Sequence, residues 1–186
     1  MSFDHFSAIA PIYARVTYSK REVMREVAAL PVKGRLLDVG GGTGRVASAI
    51  RDLVDDVVIA DVSFGMLKQT SAFRSVCGLS ESLPFPTESF ERVIMVDALH
   101  HVIHHGDSAR EMFRVLKPGG VLVIEEPDIR TFGVKLIALA EKLLLMRSHF
   151  LAPDRIAELF AVGEKNIRAK DGTAWIMIQK EKAPTL

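Results

Sequence analysis

Leu36-Leu37-Asp38-Val39-Gly40-Gly41-Gly42-Thr43-Gly44 is the stretch that decides the fold. It opens on a short apolar run, Arg35 to Val39, with the unbroken hydrophobicity of a strand buried on both faces. It passes through a glycine-rich loop and continues into a segment where Val46, Ile50 and Leu53 recur at helical spacing. Strand, glycine loop and helix in that order open a doubly wound α/β sheet. Glycines let such a loop turn tightly and bring the backbone close to a ligand. Ligands of these sheets bind beyond the carboxyl ends of the strands, near a topological switch point, where helix starts also offer free N–H donors. A P-loop is excluded, because no Lys followed by Ser or Thr comes after the glycines. Gly42-Thr43-Gly44-Arg45-Val46-Ala47 formally fits the dinucleotide pattern G-x-G-x-x-A. At this point a nicotinamide or flavin enzyme is therefore a live alternative.

Asp61 is the second half of the signal. It lies 19 residues after Gly42, at the end of the next apolar run, Val57 to Ala60. A carboxylate at that spacing can accept both hydrogens of a ribose diol.

Outward from this centre the chain alternates strands and helices, the pattern of an α/β fold with a mostly parallel sheet. Towards the N-terminus, Ser19-Lys20-Arg21-Glu22 reads as a capping box for a helix carrying Val23, Val27 and Leu30. Towards the C-terminus, Ser63 caps a helix with Met66 and Leu67, a short strand spans 74–77, and another spans 92–96. A helix starts at Asp107 or Ser108, and Lys117-Pro118-Gly119-Gly120 turns into a strand over 121–124. An apolar-rich helix covers about 132–147, and a further helix follows Pro153 with Ile156, Leu159 and Phe160. The last strands, near 166–169 and over 174–179, flank an Asp171-Gly172 turn and form an antiparallel hairpin. No linker divides residues 1–186, so one domain is expected, with residues 1–30 as a helical cap over the ligand site.

Composition narrows the function classes. Lys plus Arg is 24 and Asp plus Glu is 23, for a net charge of +1. No basic excess suggests a nucleic-acid partner. Cys77 is the only cysteine, so an intrachain disulfide is impossible and a reducing, cytoplasmic setting is expected. No apolar stretch approaches the roughly 20 residues of a bilayer span, and Met1 to His5 opens no secretory signal.

Four segments together resemble the class I S-adenosylmethionine (SAM)-dependent methyltransferases. They are Leu36 to Gly44; Ile59-Ala60-Asp61-Val62-Ser63 with Met66-Leu67; Glu81 to Phe90; and Arg114-Val115-Leu116-Lys117-Pro118-Gly119-Gly120. The subset most resembled includes the ubiquinone/menaquinone-biosynthesis C-methyltransferases. The resemblance implies a single-domain Rossmann-like methyltransferase fold, with a seven-stranded mostly parallel sheet ending in a C-terminal antiparallel hairpin. It implies SAM as cofactor and methyl transfer to a small-molecule acceptor. Gly40, Gly42 and Gly44 would shape the loop beside the methionine part of SAM, and Asp38 would orient its amino group. Asp61 would hold the ribose, Met66 would pack on adenine, and Tyr13 would contact SAM. One position departs from the pattern. Gly78-Leu79-Ser80-Glu81 places Leu79 where the family often has an Asp that accepts from the adenine amino group. Leu79 can pack on a base but cannot accept its N–H, and the backbone around Ser80 is left to bond the base edge.

Methyl transfer from a sulfonium needs alignment above all, with a base only where the acceptor must lose a proton. His101, in the segment Asp97 to His105 after the fourth strand, is the leading acceptor-side base or orienter. Asp97 is assigned to the cofactor or to a histidine, and Glu126, at the end of the fifth strand, to the acceptor. Four histidines in six positions invite a metal, but no cysteine lies near, and none is assigned. Phe3, Phe6, Ile9, Ile12 and Tyr13 form one apolar group, and residues 132–150, with Leu136, Leu139, Leu143, Leu144 and Met146, form another. For the second group a lid, a homodimer surface and a greasy substrate all stay open. Two alternatives accompany the methyltransferase reading: a non-catalytic SAM-binding or protein-interaction relative, and an NAD-dependent oxidoreductase.

Overall fold

The computed structural model describes residues 10–11, 15, 17–143 and 148–182. Tyr13 and its apolar neighbours Phe3, Phe6, Ile9 and Ile12 lie outside the described residues, as do Leu144, Met146 and most of the expected cap up to residue 16. The described chain runs α1 (Arg21–Val27), β1 (Val32–Val39), α2 (Arg45–Ile50), β2 (Val54–Asp61), α3 (Phe64–Leu67), β3 (Arg74–Cys77), β4 (Phe90–Val96), α4 (His105–Val115), β5 (Leu116–Pro127), α5 (Phe132–Leu143), α6 (Pro153–Glu158), β6 (Glu164–Lys170) and β7 (Thr173–Gln179). Short 3-10 turns cover Arg51–Leu53 and Leu99–His101.

All seven strands join one sheet in the order β3-β2-β1-β4-β5-β7-β6. Pairing is parallel from β3 through β5, and β7 runs antiparallel to both β5 and β6. The strand order therefore reverses between β1 and β4, and the carboxyl ends of β1, β2 and β4 open at that switch point. Thr173 to Gln179 turns back along β5 through the Asp171-Gly172 turn, where both residues have positive φ.

Alternation along the strands divides the core between the two faces. Leu37, Val39, Val93, Met95, Leu122 and Ile124 pack with Met112 of α4 and Ile156 of α6. Leu36, Ile59, Ile94, Val96 and Val123 pack on the other face with Met24 of α1 and Val46 and Ile50 of α2. Asp38 shares the second face with Leu36 and is fully buried. Glu125 and Glu126, adjacent at the end of β5, point to opposite faces, and both are buried.

Several local expectations are corrected. The first helix is capped at Lys20, not Ser19, and has no side-chain cap. The Lys20 side chain instead reaches inward to Glu125 and Thr173. The helix after the histidines begins at His105, two residues before the earlier of the two expected starts. Lys117 to Gly120 belongs to a strand that begins at Leu116. A register shift opposite Phe90 to Arg92 accommodates those residues, with Gly119 at φ +76°. Helix α5 is described as far as Leu143. Ser63 does cap α3, accepting from the Met66 N–H at 3.3 Å.

Candidate functional site

The glycine loop lies between two carboxylates. Asp61, at the tip of β2, accepts the Gly42 N–H on one oxygen at 2.8 Å and the Ser63 N–H on the other at 2.7 Å. These bonds fix the carboxylate against the loop. Gly42 has φ +55°, and a Cβ there would project into the space beside Asp61 Oδ2 and Met66 Sδ, 3.9 and 4.0 Å away. A glycine thus keeps open a cradle bordered by a carboxylate and the buried thioether of Met66.

Asp38 lies on the inner side of the same loop. A Cβ on Gly41 would fall 2.7 Å from the Asp38 carboxyl carbon and 2.9 Å from an Ile59 methyl, so only glycine closes over this carboxylate. Neither Asp38 oxygen has a hydrogen-bond partner. Burial pushes its pKa up to about 7. The Arg45 charge opposes that rise, the Asp61 charge adds to it, and the nearby Ala47 N–H opposes it without reaching hydrogen-bonding geometry. A buried, unpartnered carboxylate beside a glycine cradle is a position where a ligand cation would be stabilised. Gly40, φ +68°, anchors the loop start through its N–H to the Ala60 carbonyl at 2.7 Å, and Gly44, φ +76°, precedes α2.

Across the switch point, Asp97 follows β4 with φ +51° and pairs with Arg45 at 2.7 Å. Arg45 also lies 5.8 Å from the Tyr18 ring centroid. Tyr18 donates to Glu125 at 2.5 Å, beside Lys20 at 2.8 Å and the Trp175 indole at 2.7 Å. Burial, followed by the Glu125 charge, pushes the Tyr18 phenol well above its ordinary range.

On the other face, Glu126 holds the turn after β4. One oxygen accepts from the Ala98 and Leu99 N–H groups at 2.9 and 2.7 Å, and the other meets His100 Nδ1 at 2.6 Å. His100 stacks on Phe150 at 4.4 Å between centroids. The His101 ring is 4.0 Å from that of His100, and its Nδ1 lies 3.3 Å from Ser148 Oγ. Burial, then the neighbouring His100, lowers the His101 pKa to about 4, so its ring is neutral at pH 7. Leu79 is 56% exposed just past β3, and Ser80 Oγ donates to Glu81 at 3.0 Å.

Among the described residues the structure thus brings Asp38, Gly40, Gly42, Gly44, Asp61 and Met66 to one cleft end, with Asp97 across the switch point. His101 stands on the turn that Glu126 organises. Arg45, Tyr18 and Lys20 were not singled out from the sequence. No motif marks them, because each is defined by a partner at least 52 residues away. No group of three or more His, Cys, Asp or Glu among the described residues is arranged to hold a metal.

Residues 37–124, from β1 to the middle of β5, match the family model described as a methyltransferase domain. Over those residues, just under half of the chain, it is similar to the class I SAM-dependent methyltransferase superfamily. Its sequence is 39% identical over 118 residues to a demethylmenaquinone methyltransferase of Renibacterium salmoninarum, covering 61% of this chain and 49% of that protein. It is 37% identical over 114 residues to a ubiquinone/menaquinone biosynthesis C-methyltransferase of Pseudomonas fluorescens, covering 54% and 44%. The chain spans about half the length of these curated relatives. In fold it is similar to a SAM-dependent methyltransferase from Thermotoga maritima (TM-score 0.78, 21% identity, 95% of this chain and 98% of that one). The methyltransferase match displaces the nicotinamide alternative that the glycine pattern alone left open. SAM is the methyl donor of this superfamily, and the carboxylates and glycine cradle around the switch point suit its cation, its ribose and its close approach to backbone. No helix among the described residues is long and apolar enough to cross a membrane.

Proposed function

We propose that this chain transfers the methyl group of SAM to a small-molecule acceptor by in-line displacement. The observation that carries the reading is the pair of carboxylates around one glycine loop: Asp61 fixed by the Gly42 and Ser63 amides, and Asp38 buried without a partner. When bound, SAM supplies an electrophilic methyl carbon on a sulfonium sulfur. Asp61 accepts from the ribose hydroxyls, and Asp38 stabilises the amino-acid ammonium. Gly40 and Gly42 let the loop approach the ligand, and Met66 packs against the base. Asp97, tied to Arg45, borders the cofactor from the β4 side.

On the acceptor side, His101 orients the nucleophile as a neutral imidazole. With a pKa near 4 it is a weak proton acceptor, so alignment is its main contribution. Glu126 acts through the turn it holds, as a positioning residue for His101, because it is buried, with one oxygen accepting two backbone N–H groups and the other meeting His100. The two curated relatives support an acceptor of quinone-precursor type, methylated on carbon. An apolar acceptor also suits the stripe of Phe132, Leu136 and Leu139, which are 76%, 52% and 54% exposed on one face of α5. The test is formation of S-adenosylhomocysteine from SAM with reduced demethylated naphthoquinones as acceptors. Turnover that Asp61→Ala abolishes and His101→Gln lowers at least tenfold is expected. Binding of SAM without turnover on any acceptor of that class would favour the non-catalytic relative.

A further inference from the structure

The stretch after β3, Cys77 to Ser80, presents no side-chain carboxylate to a purine amino group. With the ribose on Asp61 and the amino-acid end towards the glycine loop and β4, the base would extend over the tips of β2 and β3. These tips are joined: Asp61 pairs with Cys77, the Gly78 N–H donates to the Asp61 carbonyl at 3.0 Å, and Cys77 Sγ donates to the Val62 carbonyl at 3.5 Å. The side chains presented there are apolar and open. Val62 is 61% exposed and Leu79 is 56% exposed, and Met66 lies buried below. Cys77, Gly78, Leu79 and Ser80 include no carboxylate, and the Ser80 hydroxyl donates to Glu81. Two exposed apolar side chains on adjacent strand tips offer a flat ligand apolar area to cover.

We propose that this subsite, resting on the SAM reading above, holds the purine by apolar contact from Val62 and Leu79 and does not read its 6-amino group. Leu79 is then a specificity-determining residue. The chain accepts cofactors and products with the amino group missing about as well as the natural ones. A carboxylate at position 79 would restore the discrimination, since a hydrogen bond to a charged acceptor is worth roughly 10- to 150-fold in affinity.

The experiment measures binding of S-adenosylhomocysteine and of its 6-deamino purine analogue by calorimetry. The analogue keeps ring N1 as an acceptor, so only the amino donor is lost. The unchanged protein is expected to bind the two within about threefold of each other. Leu79→Asp is expected to prefer the amino form at least tenfold, and Leu79→Asn, a neutral acceptor, by less. The position is exposed, so neither substitution threatens folding. A preference above tenfold in the unchanged protein would overturn the inference, as would equal binding of both ligands to Leu79→Asp. If the unchanged protein binds neither ligand, the SAM reading itself fails; if it binds both but discriminates, only the base-subsite inference fails.

Discussion

Asp38→Asn should stabilise the ligand-free protein and weaken its cofactor at the same time. In the fold, burial lifts the Asp38 pKa from 3.8 to about 7. The folded state therefore holds this proton more tightly than the unfolded chain does. The resulting stabilisation is complete below pH 3.8, falls as pH rises towards 7, and is gone above it. At 1.36 kcal/mol per pKa unit, the charged carboxylate disfavours the fold by about 4 kcal/mol at pH 8. A buried asparagine amide without a partner carries about the same penalty, about 1–3 kcal/mol, as the neutral carboxyl it replaces, so the two cancel. The net gain at pH 8 is then about 4 kcal/mol, or roughly 8–16 °C in Tm for a chain of this size. Near pH 4 the native carboxyl is itself neutral, and the two proteins should converge. Thermal unfolding of both at pH 4, 6 and 8 reads this difference, and titration with S-adenosylhomocysteine reads the other half. The variant should bind that ligand about 10- to 150-fold more weakly, the worth of a hydrogen bond to a charged group. A stability difference that does not change with pH, or unaltered ligand affinity, would refute the reasoning.

Gly41→Ala should destabilise by about 1–3 kcal/mol, because its Cβ would meet the Asp38 carboxyl and an Ile59 methyl; chemical denaturation with a parallel ligand titration checks it. Glu126→Gln should lower kcat at least tenfold while leaving S-adenosylhomocysteine affinity within about threefold, since it disturbs the turn carrying His101 and not the cradle; steady-state kinetics and calorimetry separate the two. Glu125→Ala takes the acceptor from the buried Tyr18 hydroxyl and Trp175 indole N–H and should cost about 2–5 kcal/mol, whereas Tyr18→Phe removes one hydroxyl bond and should cost about 1–2 kcal/mol; urea melts rank them. His101, lowered to about pKa 4, should leave kcat insensitive to its own titration between pH 6 and 8 and lose function only on acidification towards pH 4; a pH–rate profile with His101→Gln as comparison measures this.

The parts of this site legible in the sequence are those governed by neighbours along the chain. Gly42 and Asp61 pair on sequence spacing because a strand–loop–helix unit returns the next strand tip to the loop at a set distance along the chain. Ser63 could be read as a cap because capping is local. The N-cap at Lys20 could not be read in that way. A buried Glu125 on a strand 105 residues away recruits that lysine and outweighs the capping box at Ser19. The strand running through Lys117 to Gly120 was hidden for a similar reason: Pro118 and two glycines signal a turn, yet pairing with Phe90 and Arg92 on either side absorbs them as an irregularity. The opposite duties of Glu125 and Glu126 follow from strand alternation, but their partners come from elements joined only by the tertiary fold.

The most direct test of the central claim is calorimetric titration of the protein and of Asp61→Ala with SAM, with NADH as the competing ligand. Saturable SAM binding, weakened at least tenfold by the substitution and unmatched by NADH, is the expected result. Binding of SAM that Asp61→Ala leaves unchanged, or binding of NADH without SAM, would contradict it.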